Sequence, residues 1–180
     1  MSVPTAQTAS LESQSAQAQA YYHFSLSQTL RLDGDDDRAL QELRKALDYD
    51  PESSSLHFYL AQSLADQALL DESVEACKQA IELDSYNSDP YFLLGLIYRN
   101  FFQRGRSEML LLAIDVLARG VELEPQKVEA LFHLGQLYSI GQDWENAVRI
   151  YAVLKGLRPD LPRIDLFQAK ALANVGRTAE

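Results

Sequence analysis

The chain repeats itself, and that repetition restricts its possible folds more than any other feature. Phe24, Phe58 and Phe92 stand 34 residues apart, Phe132 follows 40 residues after Phe92, and Leu166 stands 34 further on. Two kinds of segment alternate between these landmarks. YYHFSLSQTLRL, LHFYLAQSLADQ, YFLLGLIYRN and ALFHLGQLYSIG are amphipathic. Each is followed by an acidic-to-apolar stretch that stops at Pro or Ser: DDDRALQELRKALDYDP, DESVEACKQAIELDS, LLLAIDVLARGVELEP and WENAVRIYAVLKGLRP. In the last pair, Leu131, Leu134 and Tyr138 lie at i, i+3, i+7, and Ala147, Ile150, Tyr151 and Leu154 continue the pattern after the turn. Such pairs read as helical hairpins. One hairpin cannot cover both faces of its apolar stripe, so neighbours are expected to stack, with a concave surface lined by the first helix of each pair.

Turn chemistry agrees with that reading. Asp35 after Gly34, Asp71, Ser107, and Asp143 after Gly141 are placed to start second helices. A short acidic or hydroxyl side chain there accepts from the unsatisfied N–H groups, and a negative charge suits the positive helix end. Pro51, Pro125 and Pro159 cannot continue a helix, and Pro162 suits the first turn of one more.

A 34-residue helix–turn–helix period carrying Leu26, Leu30, Gly34, Ala39, Leu43, Ala46 and Pro51 in the first copy resembles the tetratricopeptide repeat. Leu134, Gly135, Tyr138, Ala147, Tyr151 and Pro159 carry the same pattern in the fourth copy. The second copy departs at Ser73, Cys77 and Ser85, and the third at Gly120 and its extra residues. The resemblance implies an all-α, right-handed superhelical solenoid of four repeats, at about 20–53, 54–87, 88–127 and 128–161, with a capping helix at 162–176. The single domain would span 18–180, after a flexible polar tail at 1–17. Chaperone-binding members of the family hold a C-terminal carboxylate with a clamp of Lys, Asn, Asn, Lys and Arg. The matching positions here are Phe24, Gln28, Tyr59, Asp89 and Leu93, so that route of binding is not expected.

Composition narrows the function. Sixteen Lys and Arg against 26 Asp and Glu give a net charge of −10, which disfavours nucleic acid and anionic membranes as partners. The first twenty residues lack the basic flank and apolar stretch of a secretory signal, and no apolar run approaches the ~20 residues that span a bilayer. A cytoplasmic protein is expected from the chain as it stands. The alternative is a periplasmic or exported one whose signal has been removed.

No phosphate loop, nucleophile elbow or paired-carboxylate constellation is present, so no catalytic residue, cofactor or metal is expected. The run Asp33 to Asp37 lacks the Gly and Glu of a calcium loop and reads as a solvated turn. His23 and His57 occupy equivalent places in successive repeats, too far apart for shared ligation, and His133 lies on another face. Cys77 falls at an interior helix position and reads as a buried thiol.

The expected function is non-catalytic binding of an extended or helical segment of another protein. Phe24, Phe58, Phe92, Phe132 and Leu166 form one row on the first helices, and Gln28, Gln62, Leu96, Gln136 and Lys170 form a second row one turn further on. Amides carry a donor and an acceptor for a peptide backbone, and rings offer stacking area; Tyr21, Arg31 and Arg99 accompany them. The Phe row suits packing between neighbouring first helices equally well.

The third repeat carries six extra residues within NFFQRGRSEMLLL, expected to lengthen its hairpin by about a turn on each side of Gly105. The helix from Ser107 to Val121 has more apolar surface than one buried stripe uses. Either this turn packs back on a neighbouring hairpin, or Phe101, Phe102, Arg104, Arg106, Met109 and Leu110 form a second interface, making the chain a homodimer or larger scaffold. Charge is uneven as well: residues 1–98 carry −11 and residues 99–180 carry +1. The acidic half would attract a basic partner segment.

Overall fold

The computed structural model describes residues 6–175, with side chains from Gln14 onward. The described residues form nine α-helices and no strand: α1 Ala6–Leu32, α2 Asp36–Tyr49, α3 Ser54–Asp66, α4 Leu70–Leu83, α5 Asp89–Gln103, α6 Met109–Leu123, α7 Val128–Ile140, α8 Trp144–Leu157 and α9 Ile164–Asn174. The helices pair in order as hairpins, which makes this an all-α repeat fold. The chain divides into two compact units, Met1–Ser85 and Tyr86–Glu180.

In the first unit, α1 pairs with α2 and α3 with α4, and α2 packs on α3. Its core holds Ala20, Leu43, Ala46 and Leu56, with Phe24, Leu47, Tyr59 and Leu60 packed against them. Two polar contacts lock the second hairpin: the buried Ser73 Oγ donates to the Ala61 carbonyl at 2.6 Å and the half-buried Ser54 Oγ to the Ala80 carbonyl at 2.9 Å. In the second unit, α5 pairs with α6 and α7 with α8, α6 packs on α7, and α9 closes over α8. Leu131, Ala147, Tyr151, Leu154, Ile164 and Ala171 are buried together there, with Phe132 and Phe167 against them.

The helix starts follow the expected chemistry in part. Asp35 accepts from the Arg38 N–H and Asp143 from the Asn146 N–H, each at 3.2 Å. Ser53 does the same for Leu56 at the head of α3. Ser107 does not cap: it lies in the turn, and α6 starts from Glu108 without a side-chain cap. Asp71 sits inside the first turn of α4, where it still faces the positive helix end. Helices α2, α6 and α8 end two residues before Pro51, Pro125 and Pro159, and the residue left between, just before the proline, is steered towards extended backbone. Pro162 lies before the Arg163 cap of α9 rather than in its first turn.

One turn position is left-handed in all four hairpins. Gly34 and Gly105 occupy it at φ 81° and 96°, but Ala68 and Gln142 hold φ 60° with a side chain present. In the fourth hairpin the left-handed residue is therefore Gln142, one place after the Gly141 that marks this turn in the sequence.

Three expectations are revised. Helix α1 reaches back to Ala6, through part of the 1–17 segment read as a flexible tail; its Ala, Gln, Leu and Glu are good helix formers, and lengthening an existing helix needs no new nucleus. Residues 1–5 of that segment, and 176 of the capping helix, lie outside the described residues. The six extra residues of the third repeat are not shared equally about Gly105. With Phe92 aligned on Phe58, α5 runs three residues further past the phenylalanine than α3 does, the turn is two residues longer, and α6 starts one residue earlier than α4. Phe101 is buried, with the Arg106 guanidinium 4.3 Å above its ring, so it is a packing residue of the lengthened α5 and not part of an exposed interface.

A column of small residues lets each hairpin close: Ser27, Ala61, Gly95 and Gly135, three positions after each phenylalanine of the row. All four are buried. A Cβ on Gly95 would come within 2.4 Å of Leu117 Cγ, and one on Gly135 within 2.6 Å of the Tyr151 ring. At the positions equivalent to Leu117 and Tyr151, the second repeat has Cys77, and there the column has room for alanine.

Candidate functional site

Each residue of the Phe row and its partner one turn on stand at i, i+4 on one helix face, as the periodicity requires. In the first unit, Phe24, Gln28, Phe58 and Gln62 are all half-buried. The Phe24 ring meets Tyr59 at 4.8 Å between centroids, and Tyr59 in turn meets Phe58 at 6.0 Å. Tyr21 is 73% exposed and lies one turn before Phe24. Arg31 donates to the Gln28 amide oxygen at 3.1 Å, which orients that amide. The Gln62 amide has no hydrogen-bond partner among the described residues.

The second unit treats the rows differently. Phe92 is buried: Gly120 lies against one face of its ring and the Lys127 ammonium stands 4.1 Å from its centroid. Lys127 is itself held by Asp89 Oδ1 at 2.6 Å. The Phe92 ring is thus largely spent on closing its own hairpin and leaves only an edge, beside Leu96 and His133, along a crevice of about 40 Å³. Phe132 packs edge-on against Phe167 of α9 at 5.7 Å. Leu166, the residue that the 34-residue spacing selects on α9, is 63% exposed. The link from α8 to α9, Arg158 to Arg163, is six residues against four for Asp50 to Ser53 and Glu124 to Lys127, and this moves the packing position on to Phe167. Gln136 and Lys170 do come together, lining a cleft of about 270 Å³ with Ser139, Ile140, Tyr151 and Phe167.

His133 belongs with this face after all. Arg99, near the end of α5, hydrogen-bonds the His133 ring at Nδ1. A guanidinium only donates, so Nδ1 is the lone-pair nitrogen and the ring carries its proton on Nε2. Gln136 also hydrogen-bonds this ring. Burial first, and then the Arg99 charge, hold the His133 pKa below its ordinary 6.5. The signal for this pairing in the sequence was the spacing itself, since Arg99 and His133 are 34 residues apart.

That ring gives stability a pH dependence. The unfolded chain takes up the histidine proton near pH 6.5 while the folded chain resists it, so this contribution is intact above that pH and is lost as pH falls through the lower folded value. The urea midpoint is expected to drop between pH 7 and pH 5, and to drop less in His133→Gln. Equal losses in the two proteins would refute the assignment.

The remaining candidates are structural. His23 Nδ1 lies 2.6 Å from Glu42 Oε2, its ring stacked on Tyr49, while His57 Nε2 lies 2.9 Å from the Pro51 carbonyl. Cys77 is fully buried, and that burial pushes its thiol pKa up to about 12. Among the described residues, no three His, Cys, Asp or Glu side chains gather as a metal-ligand set, and no helix is long and apolar enough to cross a membrane. Of the second set of residues, Phe102, Met109 and Leu110 are half-buried and Arg104 and Arg106 exposed, while Leu111, just beyond them, is 73% exposed.

A family model described as tetratricopeptide repeat matches residues 24–90. No curated protein matches the chain. Among solved structures, it is similar to MamA, with a TM-score of 0.74 and 23% identity over 88% of this chain and 83% of that one. It is similar as well to YrrB, described as a tetratricopeptide protein with an unusual peptide-binding site, with a TM-score of 0.74 and 20% identity over 94% and 83% of the two chains. A third is TTC0263, a thermophilic tetratricopeptide protein of Thermus thermophilus, with a TM-score of 0.62 and 20% identity over 88% and 84%. At these identities the likeness establishes the fold. Residues 24–90 thus match the tetratricopeptide repeat in sequence, and the chain through α9 has the hairpin fold of tetratricopeptide repeat proteins.

Proposed function

We propose that the chain binds a segment of a partner protein, extended or helical, on the face of its first helices, without catalysis. Tetratricopeptide proteins are generally interaction modules, and YrrB, of like fold, carries a peptide-binding site. The observation that carries the reading is Gln62: a half-buried amide on the same face as Phe58, with its donor and acceptor both unused by the protein. An amide held in place by its helix and left unpaired is suited to bonding the main chain of a peptide. Gln28 and Gln136 place amides at the equivalent positions, Gln28 bonded to Arg31 and Gln136 to the His133 ring, with Lys170 beside Gln136. A second reading, self-association, is favoured by Leu111 and Leu112, both exposed on α6.

One experiment separates the two. Random peptides displayed on phage are selected against the purified chain, and the best binder is titrated by fluorescence anisotropy into wild type, Gln62→Ala and Gln136→Ala. Loss of an amide's bonds is expected to weaken binding by about tenfold in at least one variant, on the order of 1 kcal/mol. Unchanged affinity in both removes the first-helix face as the site. Sedimentation of the same unliganded samples reads the other possibility, since self-association through α6 requires a concentration-dependent dimer that Leu111→Asp abolishes.

A further inference from the structure

The first unit contains a cleft of about 220 Å³ between α1 and the start of α3. Its walls are aromatic: Phe24 and Tyr59, 4.8 Å apart and tilted, with Tyr21 standing beside them. Its polar lining is Gln17, Asp50, Ser53 and Ser55, of which only Asp50 carries a charge. The Ser53 hydroxyl is committed as the cap of α3. The Asp50 carboxylate belongs to no ion pair among the described residues.

These groups define what fits. Aromatic faces are electron-rich and attract cations, and a carboxylate beside them adds full charge. A purely apolar guest would strip water from Asp50 without replacing its partner. An anion would be repelled, because Met1–Ser85 carries five Lys and Arg against fifteen Asp and Glu, the whole −10 of the chain. The unit cannot neutralise the cleft itself. Arg38 is paired with Asp35, Arg44 with Glu72, Lys45 with Glu42 and Lys78 with Glu75, while Arg31 is bonded to Gln28. The volume is below the ~300 Å³ of a typical small-molecule site and suits one long side chain.

We propose that this cleft receives an arginine side chain of the bound partner segment, its guanidinium stacked among Tyr21, Phe24 and Tyr59 and hydrogen-bonded to Asp50. A planar guanidinium is favoured over an ammonium because it can lie against a ring and meet a carboxylate in two parallel bonds. The proposal rests on the peptide-binding reading and adds the charge and identity of one anchor to it.

The test uses two capped pentapeptides, acetyl-Gly-Ser-Arg-Ser-Gly-amide and the same peptide with citrulline, which keeps the shape and removes the charge. Each is titrated into the full chain with the ring resonances of Tyr21, Phe24 and Tyr59 followed by NMR. The arginine peptide is expected to shift these resonances, and the citrulline peptide to leave them unmoved at tenfold higher concentration. Asp50→Asn and Tyr21→Ala, both outside the packed core, should each weaken the arginine peptide by about fivefold or more while keeping the wild-type helical signal. Equal binding of the two peptides, no ring shifts, or an Asp50→Asn variant that binds as wild type would overturn the proposal. If the phage-selected peptide still binds and still depends on Gln62 while the arginine peptide leaves the rings unmoved, the arginine anchor fails and peptide binding stands. If neither peptide binds, both fail.

Discussion

Tyr151→Ala is expected to lower stability by about 3–5 kcal/mol, the range for deleting a buried ring. Tyr151 is almost wholly buried, stacked on Phe167 of α9 at 5.7 Å, and laid directly over Gly135 of α7. Its hydroxyl also meets Ser139 Oγ at 3.2 Å. One side chain therefore ties α7, α8 and α9 together. Urea unfolding gives the size of the loss, and amide exchange gives its place, since α9 should lose protection before α5 and α6. A loss below about 1 kcal/mol, or uniform deprotection, would mean that α9 is held by other contacts.

The second large effect has a sign that helix propensity alone gets wrong. Alanine is the better helix former by about 1 kcal/mol, so a glycine-to-alanine change inside a helix ordinarily stabilises. Gly135→Ala is instead expected to destabilise by about 1–3 kcal/mol, because its Cβ would meet the Tyr151 ring at 2.6 Å and that ring is buried and stacked on Phe167. Gly156 in α8 supplies the control. Nothing lies within 4 Å of a Cβ there, so Gly156→Ala should follow propensity and stabilise. Chemical denaturation of the two variants side by side reads opposite signs, and matching signs would refute the packing argument.

The hairpins were legible in the sequence because their apolar residues recur at helical spacing and because proline and capping aspartate mark the ends. Three features escaped it for separate reasons. Phe92 looks like its equivalents in the row, but Gly120 opposite it lets the ring sink into its own hairpin, a contact between residues 28 apart that no local pattern displays. Leu166 was placed by counting, and a longer link before α9 defeats counting by shifting which face is turned inward. The Arg99–His133 pair joins the end of one first helix to the start of the next, so neither residue falls on the rows that mark the face. The cleft at Tyr21, Phe24 and Tyr59 was half visible, Tyr21 and Phe24 singled out and the Tyr59 and Asp50 beside them not.

The left-handed turn residues affect how the repeats fold. A side chain at φ 60° costs about 1–2 kcal/mol relative to glycine, and the second and fourth hairpins carry that burden at Ala68 and Gln142 while the first and third do not. In an array of repeats, stability is approximately the sum of what each repeat holds alone and what each shares with its neighbour. Strain at the turn lowers the first quantity and leaves the second untouched. The hairpin of α3 and α4 thus depends more on its packing against α2, and that of α7 and α8 more on α6, than either would with glycine at the turn. Neither gains much by forming by itself. The alternation of relaxed and strained turns therefore acts against half-folded states: within each unit the strained hairpin folds with its neighbour, and the population of chains with a single repeat frayed is reduced.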